Sequence, residues 1–245
     1  MNPILFTAAK GAERVMYAQD VRANNLAQAN TIGFKALMEH AAPMPVEGSG
    51  FKTSTTTRTN SAVNNFAEGL NVRTDNPLDL KIEGEGFFTV QGKAGEPNQL
   101  YTRAGNFRLD QDGNLYLADR LVLDDNNQPI VIPEHQDISV DNTGVISIFP
   151  VGGEASMDVG NIKLVNIGNN QMTMDSSGLF VAKNGNNIPV NPDVVVQSGF
   201  LESSNVSSLD EVITMMSLTR QFEMQVKVMG AASDIEKAGN QLLRA

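Results

Sequence analysis

Few side chains in this sequence can do covalent or metal chemistry. There is no cysteine, which excludes disulfides, zinc–thiolate sites and thiol nucleophiles. The only imidazoles are His40 and His135, which leaves little material for a histidine metal site or a Ser-His-Asp triad. Gly84-Glu85-Gly86 has the spacing that opens a phosphate-cradling loop, but Phe87-Phe88-Thr89-Val90 continues as a strand where such a loop needs a helix N-terminus. A tight turn between strands is expected there instead. Asp110-Gln111-Asp112-Gly113-Asn114 lacks the remaining ligands and the bidentate Glu of a calcium loop, and its Asp-Gly-Asn core is a hairpin signal. Glu83 and Glu85 bracket a glycine and have no His partner, so nothing splits their pKa values as an acid–base pair requires. The expectation is a non-enzymatic chain with no catalytic residues, no cofactor and no metal site.

Composition narrows the partners. The 245 residues carry 18 Lys plus Arg against 28 Asp plus Glu, a formal charge of −10. Nucleic-acid phosphate and anionic membranes are bound through clustered cations, so neither is expected as a partner. At 41% hydrophobic and 19% charged, the chain has ample material for a packed core. No run of about 18 apolar residues occurs, so no membrane insertion is expected. The stretch Met1 to Gly11 has no basic start followed by a long apolar core, and does not read as a cleaved signal peptide.

Two long helices flank the chain. From Ile4 to Ala29 a stripe steps by three and four through Leu5, Ala8, Ala12, Val15, Gln19, Arg22, Leu26 and Ala29, heptad-like with a polar middle. Asn30-Thr31-Ile32-Gly33 offers a helix stop, with Gly33 able to take the left-handed conformation. From Leu209 to Leu243 a seam runs through Leu209, Val212, Met216, Thr219, Glu223, Val226, Gly230 and Ser233. A second row, Ile213, Met216, Phe222, Met229 and Ile235, broadens it. Ser207 or Ser208 offers an N-cap, and Glu211 would complete a capping box from Ser208. A helix this long without an internal Pro suggests coiled-coil association.

Mid-chain the texture is that of strands. Residues 75 to 202 carry short β-branched or alternating runs between Gly, Asn, Asp and Pro: 78–82, 87–90, 107–109, 115–117, 130–132, 138–140, 145–148, 162–165 and 194–196. Many short strands at regular spacing predict an all-β domain. Residues 36 to 74, with Pro43, Pro45, Gly48, Gly50 and the tract Thr53 to Thr59, read as an extended arm that orders against a partner, with a flexible linker as the alternative. The expected fold is α+β, in four parts: 1–35, N-terminal helix; 36–74, extended arm or linker; 75–202, β domain; 203–245, C-terminal helix. Long helices with narrow apolar stripes are marginal alone in water, so the terminal helices must pair with each other or with another subunit as a coiled-coil-like module.

Specific strings then carry a resemblance. Ala23-Asn24-Asn25-Leu26-Ala27 followed by Thr31-Ile32-Gly33-Phe34-Lys35 resembles the N-terminal signature of the axial proteins of the bacterial flagellum, the rod and hook family. The run from Asn76 to Val90 is similar to a second signature, and Tyr101-Thr102-Arg103-Ala104-Gly105-Asn106-Phe107 with Asp112-Gly113-Asn114-Leu115 to a third. Gly199-Phe200-Leu201-Glu202-Ser203-Ser204-Asn205-Val206 and Arg220-Gln221-Phe222-Glu223-Met224-Gln225 complete the set, in order over nearly the whole chain. Gln28, Ala29 and Asn142 depart from the usual pattern.

The resemblance implies a structural subunit that leaves the cell through the flagellar type III export apparatus without a cleaved signal peptide. It implies polymerisation with its own copies and with other rod proteins, proximal and distal, into a hollow rod crossing the periplasm. In that family the terminal helices form the inner tube and the β domain lies outside. Carried onto this sequence, the signature residues implied as assembly interface are Asn24, Asn25, Leu26, Gly33, Phe34, Asn205, Val206, Arg220, Phe222 and Glu223. The short length, the Pro45-Val46-Glu47-Gly48 segment and the Arg220 to Gln225 string look most like the proximal rod branch, with the distal rod or hook branch as the alternative. The rival of another class is an extracytoplasmic enzyme on a β scaffold, which the shortage of His and Cys opposes.

Two motifs keep a plainer reading beside the implied one. Asn is a poor interior helix former, so Asn24 and Asn25 either fray the helix end or hydrogen-bond neighbouring backbone. Arg220, Glu223 and Phe222 are either a surface ion pair beside a core aromatic or an inter-subunit contact.

Overall fold

The computed structural model describes residues 3–45, 55–59, 62–153, 155–168, 171–175, 177–184 and 187–242. Val46-Glu47-Gly48, Gly50, Thr53, Ser54 and Leu243, used in the sequence reading, lie outside them. The fold is α+β, and the chain divides into two compact units. One comprises Met1–Ala29, Ala36–Asn65 and Val206–Ala245; the other comprises Asn30–Lys35 and Phe66–Asn205.

The first unit is built on two helices, α1 (Pro3–Ala27) and α2 (Ser208–Leu242). Ser207 caps α2: its Oγ accepts the Asp210 N–H at 3.4 Å and its carbonyl accepts the Glu211 N–H at 3.0 Å. Asp210 and Glu211 add negative charge in the first turn, where the helix dipole favours it. The capping box expected from Ser208 does not form, because the Glu211 carboxylate turns to Asn25 and Arg22 of α1. Those contacts, with Gln19 Nε2 donating to Thr219 Oγ1 at 3.2 Å, make the helices antiparallel. Two short ladders accompany them: β1 (Leu37–Met38) with β4 (Val63–Asn64), and β2 (Ala41–Pro45) with β3 (Thr55–Thr59), both antiparallel. Within the segment expected to be an extended arm, these residues pair with each other.

The buried faces correct the expected seams. On α1 the buried positions are Ala8, Ala12, Val15, Ala18, Val21 and Asn25. The expected stripe follows them through Val15, then slips by one residue. On α2 the inward positions are Glu211, Met215, Leu218, Phe222, Gln225, Met229 and Ala232, while Val212, Met216 and Val226 of the expected seam are exposed. The first turns of α2 are apolar on two faces, so periodicity alone does not say which one meets α1. The buried bond between Asn25 and Glu211 supplies that choice, as a polar pair in a helical interface can set register.

The second unit is the β-rich one. Its strands are β5 (Asn71–Arg73), β6 (Leu80–Glu83), β7 (Phe87–Gln91), β8 (Gln99–Thr102), β9 (Phe107–Leu109), β10 (Leu115–Leu117), β11 (Arg120–Leu121), β12 (His135–Val140), β13 (Val145–Pro150), β14 (Met157–Asn161), β15 (Leu164–Val165), β16 (Met172–Met174), β17 (Phe180–Ala182), β18 (Val195–Ser198) and β19 (Phe200–Glu202). They form a five-stranded sheet in the order β15-β7-β8-β17-β16, two three-stranded sheets, β11-β10-β9 and β12-β13-β14, and the pairs β18-β6 and β19-β5. The expected run at 130–132 is not a ladder strand; Ile130 and Ile132 are buried there beside an isolated bridge from Val131 to Asn114.

β7 is buried on both faces, which is why its sequence is a continuous apolar run. Phe88 and Val90 enter the main core with Leu80, Ile82, Leu100, Phe107, Ile146 and Ile148. Phe87 turns to a second cluster with Tyr101, Val165 and Phe180, where Phe66 packs against both Phe87 and Phe180. The expected hairpin joins β9 to β10. Asp110 Oδ1 accepts the Asp112 and Asn114 N–H groups, and Gly113 takes φ +81°.

Candidate functional site

The motif residues gather at two places, one in each unit. In the helical unit Asn25 is fully buried near the end of α1. Its Oδ1 accepts the Leu37 N–H at 2.8 Å and its Nδ2 donates to the Leu37 carbonyl at 2.9 Å, so the amide stands in for a neighbouring strand's backbone. The same Nδ2 lies 3.1 Å from Glu211 Oε1. Arg22 donates to both Glu211 oxygens at 3.2 and 3.3 Å, completing the carboxylate's partners. Asn25 thus ties α1, β1 and the start of α2 together. Asn24, one residue earlier, is exposed and faces away.

In the β-rich unit the strings meet at a buried ion cluster. Glu202, at the end of β19, receives Lys35 Nζ on Oε1 at 2.5 Å and Arg103 Nε on Oε2 at 3.0 Å. The Lys35 and Glu202 side chains are each 1% exposed and that of Arg103 3%. Burying charge is costly unless every lone pair and proton finds a partner, and here partners are abundant. Gly69 N–H donates to Glu202 Oε1 at 2.9 Å and Lys35 Nζ to the Ala67 carbonyl at 2.9 Å. Arg103 forks to the carbonyls of Gly86 and Gly84 at 2.9 and 2.8 Å. The Gly84-Glu85-Gly86 turn therefore serves as an arginine dock, with Gly84 at φ +70° and Gly86 at φ +152°. Burial pushes the Lys35 ammonium below the ordinary lysine range, opposed by its hydrogen bond to Glu202.

Gly33 belongs to this cluster rather than to the helix stop expected of it. Its N–H donates to the Glu202 carbonyl at 2.8 Å, and a Cβ there would sit 2.3 Å from the Ala104 nitrogen. Its φ of +67° is the conformation that brings the chain this close. Phe34 is buried, and its carbonyl accepts the Asn205 N–H at 3.4 Å. Asn205 Nδ2 donates to Ala67 O at 2.9 Å.

Of the remaining candidates, Leu26 and Val206 are half-buried, and Phe222 is half-buried on the inward face of α2. Arg220 and Glu223 are exposed and form no ion pair with each other. They continue an outward stripe through Leu209, Val212, Ile213 and Met216, roughly 160° round the helix from the face that meets α1. Lys35, Arg103 and Glu202 stand within the quoted strings, but nothing in the linear sequence assigns them a role. The available signal was a single charge inside each otherwise apolar or turn-forming string.

Among the described residues no three His, Cys, Asp or Glu side chains are placed to hold a metal ion. His40 is exposed, and His135 Nδ1 lies 2.9 Å from the Pro133 carbonyl. Glu83 and Glu85 are exposed. Among the described residues no helix is long and apolar enough to cross a membrane. The chemistry on view is adhesive: buried polar ties that fix the fold, and an apolar stripe left uncovered on a long helix.

The quoted strings thus fall on an antiparallel pair of helices and on the buried ion cluster of a β-rich unit. Residues 81–148 match the model described as "Flagellar hook protein FlgE/F/G D1 domain", and residues 197–242 match "Flagellar basal body rod FlgEFG protein C-terminal". The chain belongs to the flagellar basal-body rod and hook protein family, whose rod members are structural parts of the basal body. It is 31% identical to the flagellar basal-body rod protein FlgF of Salmonella typhimurium and 32% identical to that of Escherichia coli, each alignment covering 99% of both chains. It is 28% identical to FlgG of Caulobacter vibrioides over 97% of this chain and 98% of that protein.

Proposed function

We propose that this chain is a subunit of the proximal rod, the FlgF branch, and polymerises through its terminal helices with its own copies and with other rod proteins. The subunit passes the flagellar type III export apparatus without a cleaved signal peptide and takes its place in the periplasmic part of the rod. It acts by assembly, with no catalytic step.

The observation that carries this reading is the uncovered stripe of α2. After α2 has packed on α1, Leu209 remains 70% exposed, Ile213 57% and Met216 55%. A helix apolar on two opposite faces calls for a second partner. Full burial of one such side chain contributes about 1.5–3 kcal/mol, and the stripe repeats that along two turns. Asn24, Arg220 and Glu223, exposed in the single subunit, are then the signature residues left for neighbours. The alignment with FlgG favours a distal rod subunit as the second reading.

The test is a chain carrying Ile213→Asp and Met216→Asp in cells lacking the parent gene. The purified variant should keep the parent's thermal unfolding, since both side chains are outside the α1–α2 contact. The cells should lose motility and complete rods. Normal swimming in that strain would sink the proposal.

A further inference from the structure

Glu202 joins stretches of the β-rich unit that are far apart in sequence. Its carbonyl holds Gly33, its Oε1 holds Lys35 and Gly69, and its Oε2 holds Arg103. The next residue reinforces the same place, with Ser203 N–H donating to the Leu70 carbonyl at 2.8 Å. The segments gripped in this way, 30–35 and 66–70, belong to no strand or helix. A stretch without a ladder of its own depends on side-chain and cross-segment bonds for its order.

We propose that the Glu202 carboxylate is a clasp on which the ordering of residues 30–35 and 66–70 depends, so that the β-rich unit closes only when β19 arrives. The charge arithmetic of the cluster makes this specific to one residue. Lys35 and Arg103 are two buried cations facing one carboxylate. Removing Glu202 takes from both buried cations the carboxylate they share; removing Lys35 leaves the Arg103–Glu202 pair in place. Breaking a buried pair by deleting one partner is strongly unfavourable because of the charge left behind. The clasp therefore responds asymmetrically to its own members, which a generic packing contact does not. The β7–β8 ladder, deep in the unit and built on Phe88, Val90 and Leu100, does not touch the carboxylate and keeps its own order.

The experiment is amide hydrogen exchange on the full-length chain. In Glu202→Gln the amides of Gly33, Gly69 and Asn205 should exchange roughly tenfold faster or more, while those of Val90 and Leu100 hold their protection. In Lys35→Met the same three amides should change by less than about threefold. If Glu202→Gln does not fold, the double variant Glu202→Gln with Lys35→Met, which removes one of the stranded cations, should recover the folded chain. Three results would overturn the clasp: unchanged protection at those amides in Glu202→Gln, loss there no greater than at Val90 and Leu100, or an equal effect from Lys35→Met. A double variant no better folded than Glu202→Gln alone would also overturn it.

Discussion

Replacing Asn25 with Ala should loosen the helical unit far more than the same change at Asn24. Asn25→Ala removes two bonds to the Leu37 backbone and one to the Glu211 carboxylate. A neutral bond contributes about 0.5–1.5 kcal/mol and one to an ionised group about 1.5–3 kcal/mol. Alanine returns roughly 0.6 kcal/mol of helix propensity, so the net loss is about 2–5 kcal/mol. Leu37 is also left with an unpaired N–H and carbonyl in a half-buried place. Asn24→Ala has only the propensity term, because its side chain is exposed, and should stabilise by about 0.5 kcal/mol. Urea titration of the full-length variants, followed by far-ultraviolet circular dichroism, reads the helices directly. If the two alanine variants agree to within about 0.5 kcal/mol, the reading of Asn25 as the tie between α1, β1 and α2 is refuted.

Other expectations follow from the same contacts. Gly33→Ala forces a Cβ to within 2.3 Å of the Ala104 nitrogen at a left-handed φ, and should lower the β-rich unit's stability by more than about 1 kcal/mol in thermal unfolding. Phe88→Ala removes a fully buried ring stacked edge-on against Phe107 at 5.1 Å and should cost about 3–5 kcal/mol by denaturant titration. Arg120 holds the Glu96 carboxyl down from 4.5 to about 2. Its folded-state pKa is depressed, so that pair's contribution is present above about pH 4.5 and lost as pH falls towards 2. Arg120→Gln should flatten this part of an acid unfolding curve. Lys35 works in the opposite range: its folded pKa lies below the ordinary 10.5, so the unfolded chain binds more protons and stability rises as pH climbs towards 10.5. In Lys35→Met that rise should vanish from melting curves taken across the alkaline range.

Much of this organisation is legible in the sequence, and the failures have physical causes. The terminal helices show themselves through length and spacing, and β7 through Phe87-Phe88-Thr89-Val90. The inward face of α2 lies one residue off the expected seam because Val212, Ile213 and Met216 make the outward face as apolar as the inward one. What turns the helix is a buried polar contact between Glu211 and Asn25, residues a hydrophobic pattern scores as surface. β8 is hidden in the sequence because Gln99 and Thr102 are buried polar residues, so Gln99-Leu100-Tyr101-Thr102 does not alternate. Lys163 explains part of that, donating to Gln99 Oε1 at 3.2 Å and to Asn127 Oδ1 at 2.6 Å. β14 is disguised by the Asp and Gly in Met157-Asp158-Val159-Gly160-Asn161, residues ordinarily depleted in strands. The ion cluster is the clearest limit of linear reading. Lys35, Arg103 and Glu202 each stand inside a quoted string, but only the folded chain brings them together. The paired asparagines are the reverse case: both were conspicuous, and burial separates Asn25 from Asn24.

The central claim is that the outward stripe of α2 is covered by neighbouring subunits in the rod. Because the chain has no cysteine, a single cysteine placed at Ile213 or Met216 is a unique reporter of coverage. Its alkylation rate should be measured on the purified subunit and on basal bodies isolated from motile cells carrying the same variant. The account predicts fast labelling of the free chain and at least roughly tenfold slower labelling in the basal body, equivalent to about 1.4 kcal/mol or more. Equal rates in the two states, or a basal body that does not contain the chain, would contradict it.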